Sequence, residues 1–146
     1  MLILGIDPGA SSGVATYIDG KLLRLDTFDP HRLPEVIRLS SAKRVIFEDS
    51  RLQSHLFSGH KPGARPLTAA QKLKIARNVG QVDAWCALIT AVCADLGIPA
   101  HGVSPRAKGA KLNAAEFAAM TGWTGPSNEH TRDAGAVAWP YRRAAA

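Results

Sequence analysis

"GIDPGASSGVA", residues 5–15, decides how this chain is read. An apolar run, Leu2-Ile3-Leu4-Gly5-Ile6, ends on Asp7, and Pro8-Gly9 turns the chain at once. A short continuous apolar run of this kind predicts a central strand buried on both faces. The turn that follows is made of Gly9, Ala10, Ser11, Ser12 and Gly13, so it presents a carboxylate beside very little side-chain bulk. Small residues there leave room for a large ligand, such as a phosphodiester backbone, to come close.

Working outward, Val14–Ile18 and Lys21–Phe28 flank Asp19-Gly20, a two-residue hairpin signal. Leu33, Val36, Ile37 and Ser40 predict a short helix over 32–41. Val45-Ile46-Phe47 predicts a second buried strand, closed by Glu48. Residues 50–67 change character to Ser, Gly, Pro, His, Lys and Arg, which predicts a basic surface loop. From Thr68 to Leu96, the spacing of Val79, Val82, Cys86, Ile89, Cys93 and Leu96 predicts one long helix with a single apolar stripe. Gly97-Ile98-Pro99 stops it. A short strand over 100–104, a basic loop "SPRAKGAKLN", a helix over 114–121 and a last helix capped by Ser127 and running to about Arg143 complete the order. The expectation is an α/β fold. It has a mixed five-stranded sheet, antiparallel in its first three strands and parallel thereafter, with helices on both faces.

The 146 residues suit a single domain, 1–146. No apolar stretch is expected to approach a membrane span, and no membrane partner is expected. Cys86 and Cys93 fit neither a zinc spacing nor a disulfide framework, which favours a reduced, cytoplasmic setting. Eighteen Lys and Arg against twelve Asp and Glu give a net charge of +6 and a pI near 9.8. That balance suits a polyanionic partner.

Asp7 and Glu48 both end apolar strands. If those strands are parallel neighbours, both carboxylates project at one end of the sheet, where open α/β sheets hold their ligands. Two close carboxylates repel, and a divalent cation relieves the repulsion. All-oxygen ligation favours Mg²⁺ or Mn²⁺. In "SNEHTRDAGAVA", His130 and Asp133 are three apart and share a helix face, and Ala134, Val137 and Ala138 let that helix pack closely on a sheet. Singly, each residue reads as readily as a turn, a cap or a solvated surface group. Jointly they make a candidate metal site of Asp7, Glu48, His130 and Asp133.

These stretches resemble the RuvC family of Holliday-junction resolvases, within the RNase H-like superfamily. "LGIDPGASSGVA" resembles the family's opening strand and turn, and "VIFEDS" its second acidic motif. "KIARNVGQVDAWCALI" is similar to the helix that follows, "VSPRAKGAKL" to the basic segment, and "EHTRDAGAVA" to the closing acidic motif. The likeness runs in order over nearly the whole chain, and the small size and the 50–67 loop resemble the phage-type branch. The resemblance implies a metal-dependent endodeoxyribonuclease of DNA recombination and repair that cuts four-way junctions as a homodimer. It implies Asp7, Glu48 and Asp133 as metal-binding acids, with His130 in a position where many members carry Asp. It places Lys108 and Lys111 in the phosphate-contacting segment. Arg106, Lys61 and Arg65 belong to the basic clusters that suit a DNA backbone, and Phe57 is the aromatic of the loop that the family turns toward the junction centre. Trp85, Leu88 and Val92 form a second apolar face on the long helix, suited to a partner subunit or to the core.

Rival readings are another RNase H-like nuclease acting on RNA–DNA hybrids or flaps, a branched-DNA-binding protein that does not cut, and an actin-like ATPase. The last needs a second phosphate loop that this sequence lacks.

Overall fold

The computed structural model describes residues 1–53, 63–107 and 109–143. Five strands form one sheet: β1 (Leu2–Asp7), β2 (Ser12–Ile18), β3 (Lys21–Phe28), β4 (Arg44–Glu48) and β5 (Ala100–Val103). Their spatial order is β3-β2-β1-β4-β5. β1, β2 and β3 pair antiparallel, while β4 pairs parallel to β1 and β5 parallel to β4. The mixed sheet is the one expected, and Asp19 and Gly20 make the hairpin turn with positive φ at both positions.

Alternation along the strands divides the core in two. Leu4, Ile6, Val14, Val45 and Phe47 face one side, where α1 (Leu33–Ser40) contributes Leu33 and Ile37 and α2 (Ala69–Leu96) contributes Cys86, Ile89 and Cys93. Ile3, Ala15, Tyr17, Ile46 and Val103 face the other side, against Ala134, Val137 and Ala138 of α4 (Glu129–Ala138). The remaining helix, α3 (Ala114–Thr121), packs on α4.

α4 departs from expectation at both ends. Asn128, not Ser127, is its cap, accepting the Thr131 N–H at 2.9 Å while the Thr131 hydroxyl takes the Asn128 N–H. Ser127 instead receives the Arg132 guanidinium. The helix closes at Ala138, and Trp139–Tyr141 forms a 3-10 turn around Pro140, which has no N–H to continue the ladder.

α2 is the second departure. An 18-residue window within it has a mean hydropathy of 1.4, long and apolar enough on length and composition alone to cross a membrane. The expectation that no stretch approaches that length does not hold. The middle of its expected stripe is nevertheless committed to the sheet: Cys86, Ile89 and Cys93 are fully buried there and Val82 packs against them, while Leu96 at the end of the stripe is exposed, and Asp83 accepts the Ser50 hydroxyl at 2.6 Å. Opposite that stripe, Gly80, Ala84, Ala87, Leu88 and Ala91 are exposed. Of the expected second face, Val92 packs against the core, Trp85 is half-buried and Leu88 is 37% exposed.

Candidate active site

The register of β1 and β4 sets the first two acids side by side. Ile6 pairs with Phe47 in the parallel ladder, so Asp7 and Glu48 are the next residues of two adjacent strands, which lie about 4.8 Å apart. Ile3 and Ile46 belong to the α4 side of the core. Asp7 lies four residues after Ile3 and Glu48 two after Ile46, so the strand period of two turns both carboxylates to that same side.

α4 reaches this end of the sheet because two glycines admit it. A Cβ at Gly5 would stand 2.3 Å from the Ala134 carbonyl oxygen, and one at Gly13 would stand 2.1 Å from that of His130. Gly13 pairs with Asp7, so the backbone of His130 is pressed against the strand position opposite the first carboxylate. Gly13 therefore makes room for a helix, not for the phosphodiester suggested by its small size. Ser12 is buried too, its hydroxyl donating to the Gly9 carbonyl at 2.9 Å and accepting the Gly9 N–H at 3.1 Å. The outer part of the turn keeps the expected space: nothing lies closer than 3.5 Å to a Cβ built on Gly9.

His130 Nδ1 lies 3.5 Å from Asp7 Oδ2, and its Nε2 lies 3.7 Å from Glu129 Oε1. Asp133 is nearly buried, with Lys111 Nζ 3.8 Å from its Oδ2, and the Lys111 side chain is otherwise exposed. The structure thus brings Asp7, Glu48, His130, Asp133 and Lys111 to one end of the sheet. The acids offer hard oxygen donors of the kind that suits Mg²⁺ or Mn²⁺. Among the described residues, no three His, Cys, Asp or Glu side chains are drawn together closely enough to hold a metal ion as they stand. Arg106 is exposed on the turn after β5, and Arg65 is exposed ahead of α2. Lys61, Phe57 and Lys108 lie outside the described residues.

Asp49, the residue after Glu48, is 5% exposed. Arg51 donates to both of its oxygens at 2.9 Å and also to Thr90 of α2 at 3.0 Å. Burial raises the Asp49 pKa, but the hydrogen bonds and charge of Arg51 outweigh it and hold the carboxyl below its usual value. The Cys86 Sγ lies 3.6 Å from the Glu48 carbonyl oxygen, and burial raises that thiol's pKa. The strand end bearing Glu48 is therefore tied to α2 through Cys86, Ser50–Asp83 and Asp49–Arg51–Thr90. No motif marks this network; the only signal in the sequence is Asp-x-Arg following an acid at a strand end.

Cys86 also fixes the level of α2 against the sheet. Helix rise is about 1.5 Å per residue, so the first three turns of α2 extend beyond the carboxyl ends of the strands. Lys72, Lys74 and Arg77 are exposed on that extension.

No protein-family model matches the sequence, and no curated protein matches it. The fold does match solved structures. One is T. thermophilus RuvC in complex with a Holliday junction substrate, at a TM-score of 0.60 and 18% identity, spanning 95% of this chain and 90% of that one. At that identity the likeness concerns the fold, which is RuvC-like.

Proposed function

We propose that this protein is a metal-dependent endonuclease that resolves four-way DNA junctions, hydrolysing one phosphodiester in each of two opposed strands. The observation that carries the reading is the placement of Asp7 and Glu48 at the ends of two adjacent parallel strands, facing the side on which α4 supplies His130 and Asp133. The neighbour of like fold is a resolvase with its junction, which supports branched DNA as the substrate class.

Asp7, Glu48 and Asp133 would hold Mg²⁺, with Mn²⁺ as a substitute and His130 as the fourth ligand. Such ions, when bound, supply a water of lowered pKa and neutralise charge on the leaving oxygen. The remaining work belongs to the chain itself. Lys111, next to Asp133 and largely exposed, is placed to meet a phosphate oxygen. Arg106, Arg65 and the cations on the extension of α2 hold the backbone of the DNA arms without reading sequence. Lys108, Lys61 and Phe57 retain the roles that the resemblance implies.

Two cuts need two sites. The exposed stripe of Gly80, Ala84, Ala87, Leu88 and Ala91 gives α2 a flat, small-residue face on which a second copy can pack. The working form is a homodimer in the cytoplasm.

The test is end-labelled four-way junction, linear duplex and RNA–DNA hybrid, each incubated with the protein in Mg²⁺ and in EDTA. Symmetric cuts in the junction alone, dependent on Mg²⁺, are the expected result. Preferential cutting of the hybrid would move the protein to another nuclease class, and binding without cutting would make it a recognition protein.

A further inference from the structure

Arg132 lies between His130 and Asp133 in sequence, yet its side chain runs to the two loops that precede α4. Its Nε donates to the Leu112 carbonyl at 3.0 Å and its Nη1 to the Ser127 hydroxyl at 3.1 Å. Leu112 follows Lys111, whose ammonium lies 3.8 Å from Asp133. One residue of α4 thus grips the backbone of the basic loop, and the next residue receives that loop's lysine. Between Val103 and Ala114 the described residues form no helix or strand, and Arg106, Gly109, Ala110 and Lys111 are all exposed. A lysine on such a segment samples a wide volume unless the backbone beside it is anchored. The planar guanidinium fork suits two acceptors on two different loops, which a lysine ammonium at position 132 does not match.

We infer that Arg132 is a positioning residue: by clamping the Leu112 carbonyl it fixes Lys111 at Asp133, and through Lys111 the place of the scissile phosphate. The inference rests on the nuclease reading above. It adds a residue that touches neither phosphate nor metal and acts through Lys111.

The experiment is a double-mutant cycle in single-turnover junction cleavage with Arg132→Gln, Lys111→Ala and the pair. Arg132→Gln is expected to slow cleavage about ten- to a hundredfold, as displaced catalytic groups do. It is expected to add almost nothing in the Lys111→Ala background, and Arg132→Lys should fall between wild type and Arg132→Gln. A second measurement reads the clamp directly. Trypsin should nick the chain after Arg106 and Lys111 several-fold faster in Arg132→Gln than in wild type, at an unchanged melting temperature. Losses that multiply independently in the cycle, or nicking at the wild-type rate, overturn the inference. Wild-type protein that cuts no branched DNA overturns the nuclease reading instead, and the trypsin measurement then decides the clamp alone.

Discussion

Asp7 ends β1 and Asp49 comes one residue after β4, yet their surroundings differ. Asp49 is sealed against Arg51 at bonding distance, which leaves it little to offer a ligand. Asp7 faces the α4 side at a strand end, with His130 as its neighbour and the open turn beyond it. Asp7→Asn keeps the size but replaces one acceptor oxygen by an NH2 donor and removes the charge that the proposed metal and transition state would need. Single-turnover cleavage should fall by about a thousandfold or more, while junction affinity, carried by phosphate contacts, stays within a few-fold. Gel-shift titration beside the cleavage assay measures both, and near-wild-type cleavage would remove Asp7 from the metal site. Gly13 acts by what it lacks. In Gly13→Ala the new methyl meets the His130 carbonyl, so the first turn of α4 must lift. The stability loss should be about 1–3 kcal/mol, the usual range for overpacking. Cleavage should fall further than that loss explains, because His130 and Asp133 move with the turn. Denaturant melts and cleavage rates on one preparation separate the two effects.

At the scale of elements, the site is held from both sides of the sheet. α4 is locked by its Asn128 cap, by Gly5 and Gly13, and by the Tyr17 hydroxyl, which donates to the Gly135 carbonyl at 2.7 Å. From the other side, the strand end after Glu48 is locked to α2 by the Asp49–Arg51–Thr90 network. This second lock has a pH signature. The folded-state pKa of Asp49 is held below its unfolded value, so its stabilising contribution is present above the ordinary carboxylate range and is lost as pH falls through the folded value. Stability should therefore drop more steeply for wild type than for Arg51→Met as pH is lowered from about 5 toward 2. Urea melts at steps across that window read the difference. Equal slopes would mean that the pair contributes nothing to folding.

For the whole molecule, net charge and the proposed assembly are the properties to test. With a net charge of +6, the proposed binding to DNA would depend on counterion release. Log affinity for a junction should fall linearly with log salt, by about 0.9 per phosphate neutralised. Removing Arg106 and Lys111 together should lower that slope by up to about two. Fluorescence anisotropy at four or five salt concentrations is sufficient, and an unchanged slope would place the DNA elsewhere on the surface. The proposed homodimer would pack through the exposed stripe of α2. Ala84→Arg puts a long charged side chain in the middle of it without touching the core stripe of Cys86, Ile89 and Cys93. Sedimentation should shift from dimer to monomer, and paired cuts should give way to single nicks in opposed strands. A variant that stays dimeric would exclude this stripe as the interface.

Much of this was legible in the residues because it depends on local chemistry. Buried strands announce themselves as continuous apolar runs, the hairpin by Asp19-Gly20, and α2 by a stripe of period 3.6. The order of those elements leaves few topologies, and the mixed sheet with Asp7 and Glu48 at parallel strand ends is the one that formed. Sequence alone misassigned the cap and end of α4, because Ser127 and Asn128 are equally good caps until the fold occupies one of them with Arg132. It gave Gly13 to the ligand when the space belonged to a helix 117 residues later in the chain. It left Asp49 and Arg132 unremarked, because neither carries a motif. Those roles come from contacts between distant segments: Arg51 with Thr90, Gly13 with His130, Arg132 with Leu112. Propensity and periodicity are properties of neighbours along the chain, so they specified the elements. Which small residue admits a helix, and which charge is sealed or left to meet a ligand, was decided only when the two faces of the sheet were covered.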